Sequence, residues 1–250
     1  MPFTFAHPAY AFPIKFISPR WFSVTGLVLG SMAPDFEYFL ALEPHRTIGH
    51  SFLGLVVQVI PLCVLFAFLF HYFVKESLVL HLPSVFNLNR RAYNLLGLWG
   101  LRSIRDWMVY LVSVSIGFLS HVAVDAFTHE GGYMVRQLPV LQSIVMLDLP
   151  VHKILQHSLS LIGMTALVIT IGAVLYKTVP YTKKIPSISY KQKCFYWGFA
   201  AVFAVFMTGG KLLLDSGGNI IGMLVVAPIT GFCAGILLAS LFWNGTRQSG

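Results

Sequence analysis

Charge is what this sequence has least of. Only 10% of its 250 residues are Asp, Glu, Lys or Arg, against about 25% in soluble domains. That scarcity excludes an ordinary water-soluble globule. Cysteine is nearly absent too. Cys63, Cys194 and Cys233 lie scattered in apolar segments, with no metal-binding spacing and no disulfide pairing to read from them. The opening MPFTFAHPAYAFPIKF lacks the early positive charge of a signal peptide, and prolines at 2, 8, 13 and 19 interrupt any helix there. No repeat of 20–50 residues and no low-complexity tract is present, which excludes solenoids and disordered linkers.

Long apolar runs are there instead. Stretches near 51–74, 107–128, 155–176, 194–214 and 220–243 reach the roughly 18–20 residues that cross a bilayer. A sixth, 22–42, is interrupted by Pro34, Asp35 and Glu37 and reads either as a full crossing or as a re-entrant piece. The expected fold is therefore an all-α polytopic membrane bundle of about six crossings, the first of them full or re-entrant. We expect one membrane domain over 1–250, with a proline-rich arm at 1–21, a cytoplasmic amphipathic loop at 75–106 and an outer loop at 129–154.

The net charge of +8 raises the question of nucleic acid, but its distribution answers it. With six crossings, 13 of the 17 Lys and Arg fall on one side. This is the positive-inside bias of an inner membrane protein with both termini cytoplasmic. No aromatic-basic nucleic-acid module accompanies it. Arg90, Arg91, Arg102 and Arg105 are candidates for contact with anionic membrane lipid. Acids and imidazoles gather on the opposite, outer side, which the positive-inside bias does not require.

One apolar run carries chemistry. Within 107–128, His121 and Asp125 are four residues apart, and His129 continues the spacing. Positions four apart share a helix face, so the three form a polar stripe. An ionisable stripe inside a bilayer faces the bundle interior and seeks partners. Candidates are Asp35 after the Pro34 break, His45 and His50 in the connection HRTIGHS, and His7 in the arm. Asp35 and His50 fall at a depth similar to that of His121 and Asp125. Carboxylates and imidazoles at one depth suit a divalent metal, zinc or manganese. The alternative is interhelical hydrogen bonding that merely holds the bundle. His71 and His81 read as interfacial, and Glu43, Asp148 and His152 as loop residues.

Four motifs taken together, MPFTFAHPA, GSMAPDFEYF, HRTIGHSFLG and GFLSHVAVDAFTHEGG, resemble a bacterial membrane family, domain-of-unknown-function family 4184. More distantly they are similar to YdjM-like inner-membrane metal-dependent hydrolases, and through these to zinc-dependent phospholipase C and the S1/P1 nucleases. The resemblance covers about the first 130 residues. It implies a divalent metal held by Asp35, His50, His121 and Asp125, with His7 and His129 as further ligands. The match also implicates His45, and the residues themselves make Glu37 or His45 either a hydrogen-bonding support for a ligand or the general base. The full ligand set of the soluble enzymes is not found, so one or two metals are expected. The expected function is a membrane-embedded hydrolase of a phosphoester, lipid included, at the outer face. The alternatives are a transport protein for a divalent cation or proton, and a non-catalytic assembly protein. Transport is disfavoured because the inner halves of the helices are nearly all apolar.

Overall fold

Local sequence signals set the helix ends. Ser103 and Asp106 form a reciprocal capping box that starts α7 (Ile104–Thr128), and Ser189 with Gln192 does the same for α10 (Tyr190–Leu214). The computed structural model describes residues 3–146, 148–215 and 218–248. In chain order the helices are α1 (Pro8–Ala11), α2 (Ile14–Ile17), α3 (Val24–Met32), α4 (Phe36–Ala41), α5 (Phe52–His81), α6 (Leu88–Asn94), α7, α8 (Tyr133–Gln137), α9 (Val151–Lys177), α10 and α11 (Ile220–Asn244). A short antiparallel ribbon pairs Ile144–Met146 with Leu149–Pro150. Five helices are long and apolar enough to cross a membrane: α5, α7, α9, α10 and α11. The protein is an all-α polytopic membrane protein.

The chain divides into two compact units. One comprises Met1–Phe36, Ile48–Val64 and Gly100–Ile171, and the other Glu37–Thr47, Leu65–Trp99 and Gly172–Gly250.

In the first unit, the run 22–42 begins with α3, whose nine residues span only about 13 Å, and a 3₁₀ turn over Ala33–Asp35 breaks it before α4. A single full crossing is thereby replaced by a short helix laid parallel to α7. Glycines make that contact close. A Cβ on Gly30 would stand 2.2 Å from the Val114 carbonyl oxygen, and one on Gly117 would stand 2.5 Å from that of Leu27. Gly26 meets the backbone at Tyr110 in the same way. Small residues four apart let two backbones touch where lipid supplies no hydrophobic drive between helices.

The N-terminal arm runs the other way along α7. Its start packs on α9, where the Phe3 amide donates to Ser160 Oγ at 2.9 Å and the Tyr10 hydroxyl donates to the Leu159 carbonyl. Its far end lies at the opposite end of α7, where the Arg105 guanidinium sits 5.5 Å from the centre of the Trp21 ring. The Lys15 ammonium donates to the carbonyls of Pro19 and Phe22, serving acceptors that the proline-rich backbone cannot pair within a helix. His7 stacks on His121 at 3.8 Å between ring centroids. Arg105 and His121 are about 24 Å apart along an α-helix, so arm and α3 together form a hairpin that descends along α7 and returns.

In the second unit, α10 and α11 pack through Gly231 and Gly235, whose added Cβ atoms would each lie 2.7 Å from an α10 Cα, those of Ala204 and Ala200. The expected amphipathic loop contains α6 and a 3₁₀ turn at Val85–Asn87. Its arginines are used internally. Arg90 donates to the Tyr181 carbonyl at 2.7 Å, and Arg91 to those of Tyr176 and Thr178 at 2.8 and 2.7 Å. Leu98 and Phe86 remain almost fully exposed. Glu43, expected as a loop residue, pairs with Lys211 at 3.2 Å. In the first unit His152, likewise expected in a loop, is buried and donates from Nδ1 to the Leu141 carbonyl at 3.0 Å.

Candidate metal centre

The stripe predicted on α7 forms. His121 Nε2 and Asp125 Oδ2 lie 3.3 Å apart across one helical turn. α7 ends at Thr128, so His129 is one residue past it in extended backbone; its Nδ1 still reaches Asp125 Oδ1 at 3.4 Å. The α3–α7 contact brings Asp35 alongside, and the turn preceding α5 brings His50.

The distances among these groups are short and nearly uniform. His121 Nε2 is 3.3 Å from His50 Nε2 and 3.6 Å from Asp35 Oδ1. His50 Nε2 is 3.4 Å from Asp35 Oδ1 and 3.5 Å from Asp125 Oδ2. Ligand bonds of about 2.0–2.2 Å in a tetrahedral zinc site put neighbouring ligand atoms about 3.3–3.6 Å apart, whereas octahedral ligands at about 2.1 Å lie about 3.0 Å apart. The five separations fall in the range of tetrahedral edges.

Proton placement strengthens the case. His121 Nδ1 lies 2.8 Å from the Ser31 carbonyl oxygen, which only accepts. Nδ1 therefore carries the hydrogen. In the neutral ring, Nε2 then presents a lone pair to two carboxylate oxygens and a second imidazole. A lone pair set among two carboxylates and an imidazole suits a shared cation, either a metal ion or protons on the two rings. The Ser31 carbonyl thus does what outer partners of metal-bound histidines do, fixing tautomer and ring orientation. Thr4 does the same for Asp35, donating from Oγ1 to Oδ2 at 2.7 Å and leaving Oδ1 for the cluster.

A second set of atoms faces the first. His7, Asp35 and His121 form one group able to hold a metal ion, and His50, His121 and Asp125 another. His7 is fully buried, and neither of its ring nitrogens has a hydrogen-bond partner. Its Nε2 stands 3.8 Å from Asp125 Oδ1. Asp125 Oδ1 and His129 Nε2 are also buried without a hydrogen bond. Unpartnered buried polar atoms cost about 1–3 kcal/mol each, and two of these, His7 Nε2 and Asp125 Oδ1, face one another. The side chains of His7, Asp35 and His121 are 0% exposed, that of Asp125 11% and that of His129 21%, so the cluster opens toward His129.

Two expected residues fall in the second unit. Glu37 accepts a hydrogen bond from the Thr47 hydroxyl, and His45 is exposed; both belong to the second unit, and neither is in a group able to hold a metal. Thr4 and the Ser31 carbonyl escaped the sequence reading. The spacing Gly26-x3-Gly30 was the available signal for the contact that brings Ser31 to His121. Thr4 had none, because its role depends on the path of the arm.

Apolar helices of crossing length, together with a buried His/Asp cluster at one end of α7, define a polytopic membrane protein with a potential metal centre. The chain belongs to DUF4184, a domain of unknown function, which it matches over residues 1–241. No curated protein and no solved structure matches it.

Proposed function

We propose that the protein is a membrane-embedded metal-dependent hydrolase of phosphoesters, with zinc held by Asp35, His50, His121 and Asp125. The observation that carries this reading is the set of near-equal 3.3–3.6 Å separations among two carboxylate oxygens and two imidazole nitrogens, gathered from three segments into one buried cluster. The motif resemblance to YdjM-like hydrolases and, beyond them, to phospholipase C supports the reaction class. A bound divalent ion supplies Lewis acidity, polarising a phosphoryl oxygen and acidifying water. The chain's own residues do the rest. Ser31 and Thr4 hold His121 and Asp35 in orientation. Asp125 turns its second oxygen toward His7 and His129, the atoms left for a second cation or for substrate. His129, at the exposed edge, is positioned to hold or pass a proton as substrate enters. Glu37 and His45 take no part in this scheme.

The membrane in question is an inner membrane, with the cluster on the outer face and the C-terminus cytoplasmic. The Lys and Arg bias supports that orientation. Two cytoplasmic termini require 22–42 to cross fully. The arm–α3 hairpin supports instead an N-terminus on the same face as the cluster, with Arg20 still at the Arg105 end of α7. Reporters fused before residue 1 and after residue 250 should read outside and inside respectively; the same side for both would reject this topology.

A second reading has its own support. Zinc bound by all four residues at once would have no open position, and closed sites are structural; the hydrolase reading requires that one of the four leave a position to water. A closed zinc would clamp α3, α7 and the segment before α5 without turnover. Reconstitution with mixed phospholipids and soluble phosphodiesters, under zinc and then manganese, separates the two. The hydrolase reading expects turnover that Asp35→Ala with Asp125→Ala abolishes. Metal retained with no turnover on any substrate would reject it and leave the structural role.

A further inference from the structure

The second unit holds a groove of about 520 Å³ between the start of α10 and the end of α11, remote in sequence from the metal cluster. Its floor is aromatic and fixed. His81 stacks on Tyr196 at 4.2 Å and meets the edge of Trp243 at 5.0 Å. The Tyr196 hydroxyl bonds Ser240 Oγ at 2.8 Å, and the Trp197 indole donates to the His81 carbonyl at 2.9 Å. Lys193 ties the following loop down, donating to the Leu82 carbonyl and to Ser84 Oγ, each at 2.7 Å. The walls, Phe195 and Phe242, are 62% and 65% exposed on helices long and apolar enough to cross a membrane.

The mouth is cationic. Lys191 lines it from the first turn of α10 and makes no ion pair or hydrogen bond among the described residues. Four other cations of this unit are engaged, Lys211 by Glu43 and Asp215, and Arg90, Arg91 and Lys193 by carbonyls, whereas Lys191 is the one free cation among the described residues that line the groove. An apolar trough in a bilayer-crossing surface, with a free ammonium at its interfacial end, matches a two-part ligand: an acyl chain below a negative headgroup.

We propose that this groove is a binding site for an anionic phospholipid, its phosphate at Lys191 and one acyl chain along Phe195 and Phe242 over the His81–Tyr196 floor. The positive charge at the mouth favours this occupant over a helix of a second copy, which would bring no anion to Lys191. The site is independent of the hydrolase reading.

The test is native mass spectrometry of the full chain in detergent, titrated with phosphatidylglycerol or phosphatidylcholine. Wild type should retain phosphatidylglycerol preferentially. Lys191→Ala should lower that retention about fivefold, the effect of one interfacial cation, and Lys191→Arg should restore it. Lys184→Ala, a neighbouring exposed cation, should leave it unchanged. Equal retention of the two lipids by wild type, an equal loss in Lys184→Ala, or a lipid-free dimer would each overturn the proposal.

Discussion

His121 and His81 are buried to the same degree, 0% and 2% exposed, and are anchored by the same device. Each Nδ1 donates to a backbone carbonyl, that of Ser31 at 2.8 Å and that of Ser77 at 2.7 Å. Each ring also stacks on an aromatic neighbour, His7 in one case and Tyr196 in the other. They differ at the other nitrogen. Around His81 lie the rings of Tyr196 and Trp243, with no carboxylate facing the imidazole among the described residues. Around His121 lie Asp35, Asp125 and His50, carboxylates and an imidazole of the kind that can hold a metal ion. Burial and a carbonyl anchor are thus common property of core histidines; converging carboxylates mark the site.

Substitution should separate the two histidines most sharply. His121→Phe leaves two carboxylates buried without their partner, and loss of about 3–5 kcal/mol is expected. His81→Phe keeps the ring stacked on Tyr196 and forfeits one hydrogen bond, about 1 kcal/mol. Thermal unfolding in detergent reads both, and equal losses would erase the distinction drawn here. The next effect in size concerns the helix contact that builds the site. Gly30→Ala drives a methyl into the Val114 carbonyl and should cost about 1–3 kcal/mol, with metal loss alongside, because Ser31 and Asp35 ride on α3 and the turn after it. Gly172→Ala, which meets open space, should be neutral or slightly stabilising in the same assay. Smallest is Thr4→Val, which removes the hydroxyl from Asp35 Oδ2. Metal affinity should fall about 10–100-fold while the unfolding temperature of the metal-free protein stays near that of wild type. Unchanged affinity in competition with a chelator would show that Thr4 does not orient Asp35.

Much of this was legible in the residues. The five long apolar runs correspond to α5, α7, α9, α10 and α11, because length and hydropathy are local properties. The His121–Asp125 pair was legible because a helix fixes what lies four residues on. Asp35 and His50 were within reach, each beside a break that keeps its segment near one end of α7. The path of the arm was not legible. Prolines at 8, 13 and 19 predict interrupted helix, yet nothing local tells that the broken chain lies along α7 and delivers His7 and Thr4. The burial of His81 was hidden for a similar reason: its neighbours Tyr196 and Trp243 are more than 100 residues away in sequence. Arg90 and Arg91 read as lipid contacts because unpaired backbone carbonyls at 176–181, which engage them, leave no mark in a sequence.

The most direct test of the cluster is the metal content of purified protein, measured by elemental mass spectrometry after gel filtration without chelator. The account predicts at least one equivalent of zinc in wild type and in His81→Phe. It predicts less than about a tenth of that in Asp125→Asn, which keeps the shape of the side chain and removes the charge that holds the ion. Wild type and Asp125→Asn equally free of metal after growth and refolding with zinc would contradict it, and would leave the buried histidines and carboxylates as hydrogen-bonding glue between helices.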